Sequence, residues 1–167
     1  MSRPGEVLVR PFADGDWTQV LAIIDEVVRE GETYAYPMDL GPEEARGLWI
    51  ESPPGLTVVA ELDGRIVGTA KMGPNRPGHG DHIGTASFMV SSAARGAGVG
   101  RRLAEWVVDW HRRSGFEGIQ FNAVVASNEA AVALWRSVGF EIVGTVPGAF
   151  RSPRHGHVGL HVMFLPL

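Results

Sequence analysis

Six consecutive residues in the middle of the chain, Arg95-Gly96-Ala97-Gly98-Val99-Gly100, have the types and spacing that hold an anion. A short apolar run ends at Val90, small residues follow, and an amphipathic run starts at Arg101. Strand, glycine turn and helix, in that order, aim a row of unpaired backbone N–H groups outward at the positive end of a helix dipole. Glycine lets a ligand approach the backbone closely because no Cβ intervenes. The expected ligand is a phosphate or pyrophosphate. A dinucleotide fingerprint, G-x-G-x-x-G, fails because its third glycine would fall at Arg101, and no P-loop run is present. What remains is R-x-x-G-x-G, carried by Arg95, Gly98 and Gly100.

Few other side chains are placed to do acid–base work. Gly31–Pro37 (G-E-T-Y-A-Y-P) breaks the pattern after a helix and gathers Glu32, Thr33, Tyr34 and Tyr36 without helical or strand period. Loops carry function more often than the elements they connect. Glu32 is the first candidate base. His82 is the second, with Asp81 beside it to orient the ring. Asn122 interrupts an apolar strand, where an amide is costly unless paired. It is a candidate to hold a substrate carbonyl or to stabilise a developing oxyanion. His155-Gly156-His157 with His161 lacks an acidic or cysteine partner pattern, so no metal is expected. The chain has no cysteine, which excludes disulfides, thiolate metal sites and a cysteine acyl-enzyme.

The elements that must position these groups follow from periodicity. The chain has 167 residues, 44% hydrophobic and 20% charged, with net charge −4. That suits one soluble domain over residues 1–167 able to bury roughly 70% of its unfolded surface. There is no electrostatic footprint for nucleic acid. The N-terminal M-S-R-P-G-E lacks an apolar leader and no apolar run is long enough to span a membrane, so a cytoplasmic protein is expected. Glu6–Pro11 reads as a strand. Trp17, Val20, Leu21, Ile24, Val27 and Val28 recur at helical spacing to about Glu30, behind Asp14 or Asp16 as a candidate cap. Pro42 opens a short second helix. Leu56–Leu62 and Arg65–Met72 flank Asp63-Gly64, a type I′ hairpin signal. Gly73–His82 reads as a loop and Ile83–Val90 as the strand feeding the glycine turn. A long helix is predicted over Val99–Arg113, then a strand over Ile119–Val125. A helix capped by Ser127 or Asn128 ends at Gly139, a C′ glycine. Strands follow at Phe140–Val146 and Val158–Leu165, joined by a loop over Pro147–His157.

The R-x-x-G-x-G run resembles the coenzyme A pyrophosphate loop of the GNAT superfamily of acyl-CoA-dependent N-acyltransferases. A second block, Asn128-Glu129-Ala130-Ala131-Val132-Ala133-Leu134-Trp135-Arg136-Ser137-Val138-Gly139-Phe140, resembles that superfamily's N-x-x-A-x-x-L-[YW]-x-x-x-G-F. The element order is similar over nearly the whole chain. The resemblance implies an α/β (α+β) fold: a mixed, mostly antiparallel sheet of about seven strands with four helices, splayed between the strands at 83–90 and 119–125. It implies acetyl-CoA as co-substrate, with the backbone of Met89 and Val90 pairing with the pantetheine arm. The N–H groups of Gly96, Ala97, Gly98, Val99, Gly100 and Arg101, beside Arg95, would hold the pyrophosphate. Asn128, Ala131 and Trp135 would flank the arm. Glu32-Thr33 is similar to the E-T of phosphinothricin-type N-acetyltransferases. Phe121-Asn122-x-Val124, Leu134-Trp135 and Pro74-Asn75 look like the proline-analogue enzymes.

Two positions depart from those patterns. Trp135 stands where many members carry a tyrosine acid, and an indole N–H is a donor but no practical acid. Thr85 stands where the two subfamilies carry a glutamate or an asparagine. The reading is acetyl transfer to the amino group of a small molecule, an amino acid or analogue. Attack is direct, and Glu32, Thr33, Tyr34, Thr85 and Asn122 face the substrate. A protein N-acetyltransferase and a non-catalytic acyl-CoA-binding module are the alternatives. The apolar last strand makes a homodimer a further expectation.

Overall fold

The computed structural model describes residues 5–167. Residues 1–4 of the N-terminal M-S-R-P-G-E, where no apolar leader was expected, lie outside the described residues. Seven strands form one sheet in the order β1-β2-β3-β4-β5-β7-β6. They are β1 (Leu8–Pro11), β2 (Leu56–Leu62), β3 (Arg65–Pro74), β4 (Ile83–Val90), β5 (Gly118–Val125), β6 (Glu141–Ser152) and β7 (Gly156–Pro166). The helices are α1 (Trp17–Glu30), α2 (Pro42–Trp49), α3 (Val99–Arg113) and α4 (Glu129–Val138). Neighbouring strands are antiparallel except β4 and β5, which are parallel. The mixed seven-stranded sheet and its four helices are as the pattern predicts.

Alternation along β2 sorts the layers, because successive side chains point to opposite faces. Val59 joins Val20, Ile24 and Val27 of α1 and Trp49 of α2 in one core. Val58 and Ala60 join Val99, Leu103 and Val107 of α3 in the other. A third core lies beyond β4, where Ala104 and Val108 of α3 meet Ile119, Phe121, Trp135 and Met163. The site depends on what happens between β4 and β5. They pair only at Ile83↔Gly118 and Gly84↔Ile119, and then diverge. The predicted splay is therefore present, and the rest of β4 shows an edge inside the sheet.

The turn chemistry holds where it was local. Asp63 and Gly64 both have positive φ, 49° and 78°, as a type I′ turn requires. Asn128 is the cap of α4, its Oδ1 accepting from the Ala131 N–H. Asp16 does not cap α1 with its side chain; its carboxylate pairs with Arg10 and accepts from the Ala13 N–H. The largest correction is at the C-terminus. Pro147–His157 is not a loop: β6 continues to Ser152, and only 153–155 turn the chain into β7. Pro147 and Gly148 suggest a loop, yet β6 is the sheet edge, where a missing N–H costs no ladder bond. The register shift between Val146 and Phe150 absorbs them. β1 begins at Leu8 rather than Glu6, and β3 runs on to Pro74.

Candidate active site

Two clefts open on the splay. The first, about 450 Å³, runs from Arg95 and Gly100 down the free edge of β4 to Tyr34, Tyr36 and Phe150. The second, about 680 Å³, lies against the α2–β2 connection and the β3–β4 loop, with Glu51, Lys71, Asn75, Arg76 and Asp81 in its lining. Both share Thr85, Ala86, Ser87 and Asn122, so they meet at the point where β4 and β5 part.

The anion end of the first cleft is built by backbone. Gly96 and Gly98 have φ of 80° and 75°, a conformation that residues with a Cβ avoid. The first bond of α3 runs from the Arg102 N–H to the Gly98 carbonyl, so the N–H groups of Val99, Gly100 and Arg101 have no helical acceptor. The Ala97 N–H, by contrast, is spent on the Ala94 carbonyl and does not belong to the row. The Val99 side chain is buried in the core beneath. Arg101 reaches Ser137 of α4 at 2.7 Å, tying the two helices at the rim. Arg95 is exposed and pairs with Glu30 at 3.3 Å. Glu26, one turn earlier on α1, accepts from the Ser92 N–H, and hydrogen bonds from Ser92 hold its carboxyl below the usual range.

The edge of β4 differs from the sequence reading in one respect. The Ser91 N–H pairs with Val67 of β3, so alternation turns the groups of Met89 toward β3 as well. Val90 and Phe88 face the splay. Val90 lines the cleft with no partner on that side among the described residues, whereas Phe88 is engaged: its N–H donates to the Tyr34 hydroxyl at 2.8 Å, and that hydroxyl donates to its carbonyl at 2.7 Å. The Tyr34 ring stacks on Tyr36 and meets the edge of Trp49. Burial pushes the Tyr34 phenol well above its ordinary range, so it stays protonated at neutral pH. The far wall is aromatic. Trp135 is 7% exposed and packs on Phe88 and Phe121 at centroid distances of 4.6 and 4.9 Å.

Of the predicted site residues, Gly96, Ala97, Gly98, Val99 and Arg101 belong to the anion loop but line neither cleft. Met89, Val90, Arg95, Gly100, Asn128, Ala131 and Trp135 line the first cleft, with Thr33, Tyr34, Thr85 and Asn122. Glu32 and His82 line neither cleft. His82 is exposed just before β4. Glu32 is a clamp: its Oε2 accepts from the Ser152 hydroxyl at 2.6 Å and its Oε1 from the Arg154 N–H at 3.1 Å. It fastens the tyrosine loop to the β6–β7 turn, away from the junction. Glu32→Ala is accordingly expected to lower stability by about 1–2 kcal/mol while leaving the acidic limb of any rate–pH profile in place. Loss of that limb would restore Glu32 as the base.

Asn122 has side-chain partners rather than a backbone one. Its Nδ2 donates to Asn75 at 2.7 Å and its Oδ1 accepts from Gln120 at 2.9 Å. This amide chain bridges β5 to the β3–β4 loop across the junction. Ser152, Gln120 and Lys71 were not signalled by the sequence, since each gains its role through a contact distant in the chain. Lys71 bonds the Leu48 carbonyl and Glu51. His161 contacts Thr145, and among the described residues no group of three His, Cys, Asp or Glu is placed to hold a metal. Nor is any helix among them long and apolar enough to cross a membrane.

A glycine-seated anion loop at the start of α3, a free β4 edge and a second cleft meeting the first at the splay define an acyl-CoA-dependent transferase. Comparison with known proteins agrees. The acetyltransferase (GNAT) family model matches residues 21–140. The solved structure of a GCN5-related N-acetyltransferase from Kribbella flavida is 53% identical with a TM-score of 0.93, covering 96% of this chain and 98% of that one. The L-methionine sulfoximine/L-methionine sulfone acetyltransferase of Pseudomonas aeruginosa is 30% identical over 83% of each chain. The L-2,4-diaminobutyric acid acetyltransferase of Nocardia farcinica is 30% identical over 81% of this chain and 65% of that one. The chain belongs to the GNAT family and is an acetyl-CoA-dependent N-acetyltransferase.

Proposed function

We propose that the acceptor is the α-amino group of a small amino acid or analogue, acetylated by direct attack without an acyl-enzyme. The observation that carries this reading is the meeting of two differently lined clefts at Thr85, Ala86, Ser87 and Asn122. The first fits acetyl-CoA, which when bound supplies the activated acyl carbonyl. The N–H groups of Val99, Gly100 and Arg101 and the Arg95 guanidinium would neutralise its pyrophosphate. The unpaired edge at Val90 would take the amide-bearing arm as a strand. The second cleft carries both signs of charge. Lys71 is paired with Glu51, whereas Arg76 has no ion-pair partner among the described residues. A free guanidinium beside carboxylates suits a zwitterion, with Arg76 on its carboxylate.

The four shared lining residues include neither a carboxylate nor an imidazole. A peptide-like α-amino group with pKa about 8 needs roughly 1 kcal/mol to be neutral at pH 7 and a lysine-like amine roughly 4–5 kcal/mol, and a free amino acid, whose own carboxylate stabilises the ammonium, falls between them. The proton can leave through water, provided the amine is positioned. The names of the Pseudomonas and Nocardia relatives, both amino-acid acetyltransferases, support the same class. A cytoplasmic setting and a homodimer belong to the proposal. The dimer would use the bare β6 edge, where Val143 and Val146 are exposed.

The test is CoA thiol release from acetyl-CoA against free amino acids, methionine analogues, polyamines and a short peptide. The chain has no cysteine of its own to obscure the signal. Amino acids are expected to give the highest kcat/KM. Arg76→Ala should raise the KM for them about 10-fold or more without altering acetyl-CoA affinity. Turnover with the peptide alone, or acetyl-CoA binding with no turnover on any amine, would defeat the reading.

A further inference from the structure

The Tyr34 hydroxyl has a position that neither binding nor loop closure requires. Phe88 is the first edge residue of β4 beyond the junction of the clefts, and the junction is where amine and acyl group must meet. Its N–H and carbonyl are both served by the one hydroxyl, at 2.8 and 2.7 Å. The oxygen is anchored by the N–H it accepts, while its hydrogen rests on a carbonyl and is free to turn. Accepting a hydrogen bond strengthens a hydroxyl as a donor. The ring is held on two sides: Tyr36 stacks on it and Trp49 meets it edge-on, Trp49 being itself fixed by its Nε1–H donating to Thr69. Asn122, the amide donor at the junction, already gives an N–H to Asn75.

We propose that Tyr34 is the oxyanion donor of this transferase. Its O–H turns from the Phe88 carbonyl onto the thioester carbonyl oxygen when acetyl-CoA binds, an exchange of one carbonyl acceptor for another, and the new bond strengthens as that oxygen gains negative charge. The turn is a rotation about one C–O bond and moves no heavy atom, so the donor is pre-organised for charge that develops only in the transition state. No proton leaves Tyr34. The amine nitrogen bonds to the acyl carbon, the carbon–sulfur bond breaks, the electron pair goes to sulfur, and the amine's proton passes to water. The raised phenol range suits this role, since a hydroxyl that stays protonated at every working pH is always a donor. The assignment rests on the acetyl-transfer reading and names a residue for it.

Tyr34→Phe tests this with the whole chain. The expected result is a kcat about 100-fold lower, with acetyl-CoA affinity and acceptor KM each within about twofold of wild type. A second readout needs no turnover. The carbonyl stretch of [1-13C]acetyl-CoA bound to the wild type should lie below that of the free thioester, and should move back toward the free value in the variant. Should Tyr34→Phe fail to fold, the chain's having only two tyrosines supplies another route. Fluorotyrosine incorporated into a Tyr36→Phe background labels Tyr34 alone, and its more acidic O–H should push the band lower still. Unchanged kcat and an unmoved band would overturn the assignment, as would tighter acetyl-CoA binding with unchanged kcat, the mark of a mere plug on the strand. Failure of acetyl-CoA to bind the wild type would overturn both readings. A shifted band with no turnover on any amine would spare Tyr34 and sink the acceptor reading.

Discussion

Gly100→Asp should weaken acetyl-CoA binding by about 100-fold and leave thermal stability unchanged or slightly higher. Gly100 is the second residue of α3 and lines the first cleft at its anion end. A Cβ there meets only the Leu134 Cδ2 at 3.3 Å, the tip of a flexible side chain. The substitution therefore fits with a shift of a few tenths of an ångström. An aspartate in the first turn of a helix is favourable by roughly 0.3–1 kcal/mol, and replacing glycine inside a helix adds a few tenths more. The same carboxylate faces a pyrophosphate when the ligand binds. Two unit charges about 5 Å apart at an effective dielectric near 20 repel by roughly 3 kcal/mol, about two decades in affinity. Stability and binding thus move in opposite directions, which a merely damaged fold cannot do. Calorimetry at low and high salt checks the cause, because a charge effect shrinks with screening. Gly100→Ala should lose far less. Unaltered affinity in Gly100→Asp would mean that the start of α3 does not seat the pyrophosphate.

The parts of the site that were legible in the sequence are those whose cause is local. Arg95–Gly100 announces itself because positive φ at Gly96 and Gly98 demands glycine, and the start of a helix must follow. Asn128 and Gly139 bracket α4 for equally local reasons. The aromatic wall was visible as Trp135, though its partners Phe88 and Phe121 come from two other strands. The illegible parts are contacts across the chain. Glu32 looks like a free loop carboxylate until β6 is seen to carry Ser152 to it, 120 residues away. Reading Pro147–His157 as a loop hid that strand, because proline is a breaker everywhere except at an edge. Tyr34 was visible as one member of a polar cluster expected to face the substrate. Its aim at Phe88 depends on β4 having lost β5 as a neighbour, which no local pattern encodes. The second cleft is assembled from the α2–β2 and β3–β4 connections, so nothing local marks Lys71 and Arg76 before the sheet brings them together.

Gly84→Ala is expected to destabilise the fold by about 3 kcal/mol or more, and to cost at least about 1 kcal/mol less in a His111→Ala background. Gly84 is the last position at which β4 still pairs with β5, so it sets where the splay begins. A Cβ at Gly84 would lie 2.3 Å from His111 Cδ2 and 2.4 Å from its Nε2, far inside contact distance. The ring cannot retreat. His111 is fully buried, its Nδ1–H donates to the Val107 carbonyl at 2.8 Å, and Phe116 packs against it at 4.9 Å. Either α3 lifts or β4 shifts, and both carry the cleft with them. His111→Ala alone leaves a cavity and should cost about 2–4 kcal/mol. In the double variant the new methyl enters that space, so the pair should be at least 1 kcal/mol more stable than the sum of the singles predicts. Simple additivity would show that the two sites do not touch. His111 also gives the fold a pH dependence. Among the described residues no hydrogen bond of good geometry reaches its buried Nε2, and burial pushes the imidazole below its ordinary range. The unfolded chain therefore binds a proton that the folded chain refuses. Stability from this group is complete above about pH 6.5 and falls as pH drops toward the lowered folded value. Urea melts at pH 7.5 and 5.5 should show a loss in the wild type that shrinks in His111→Ala. An equal loss in both would assign the acid sensitivity elsewhere and leave the ring with a packing role alone.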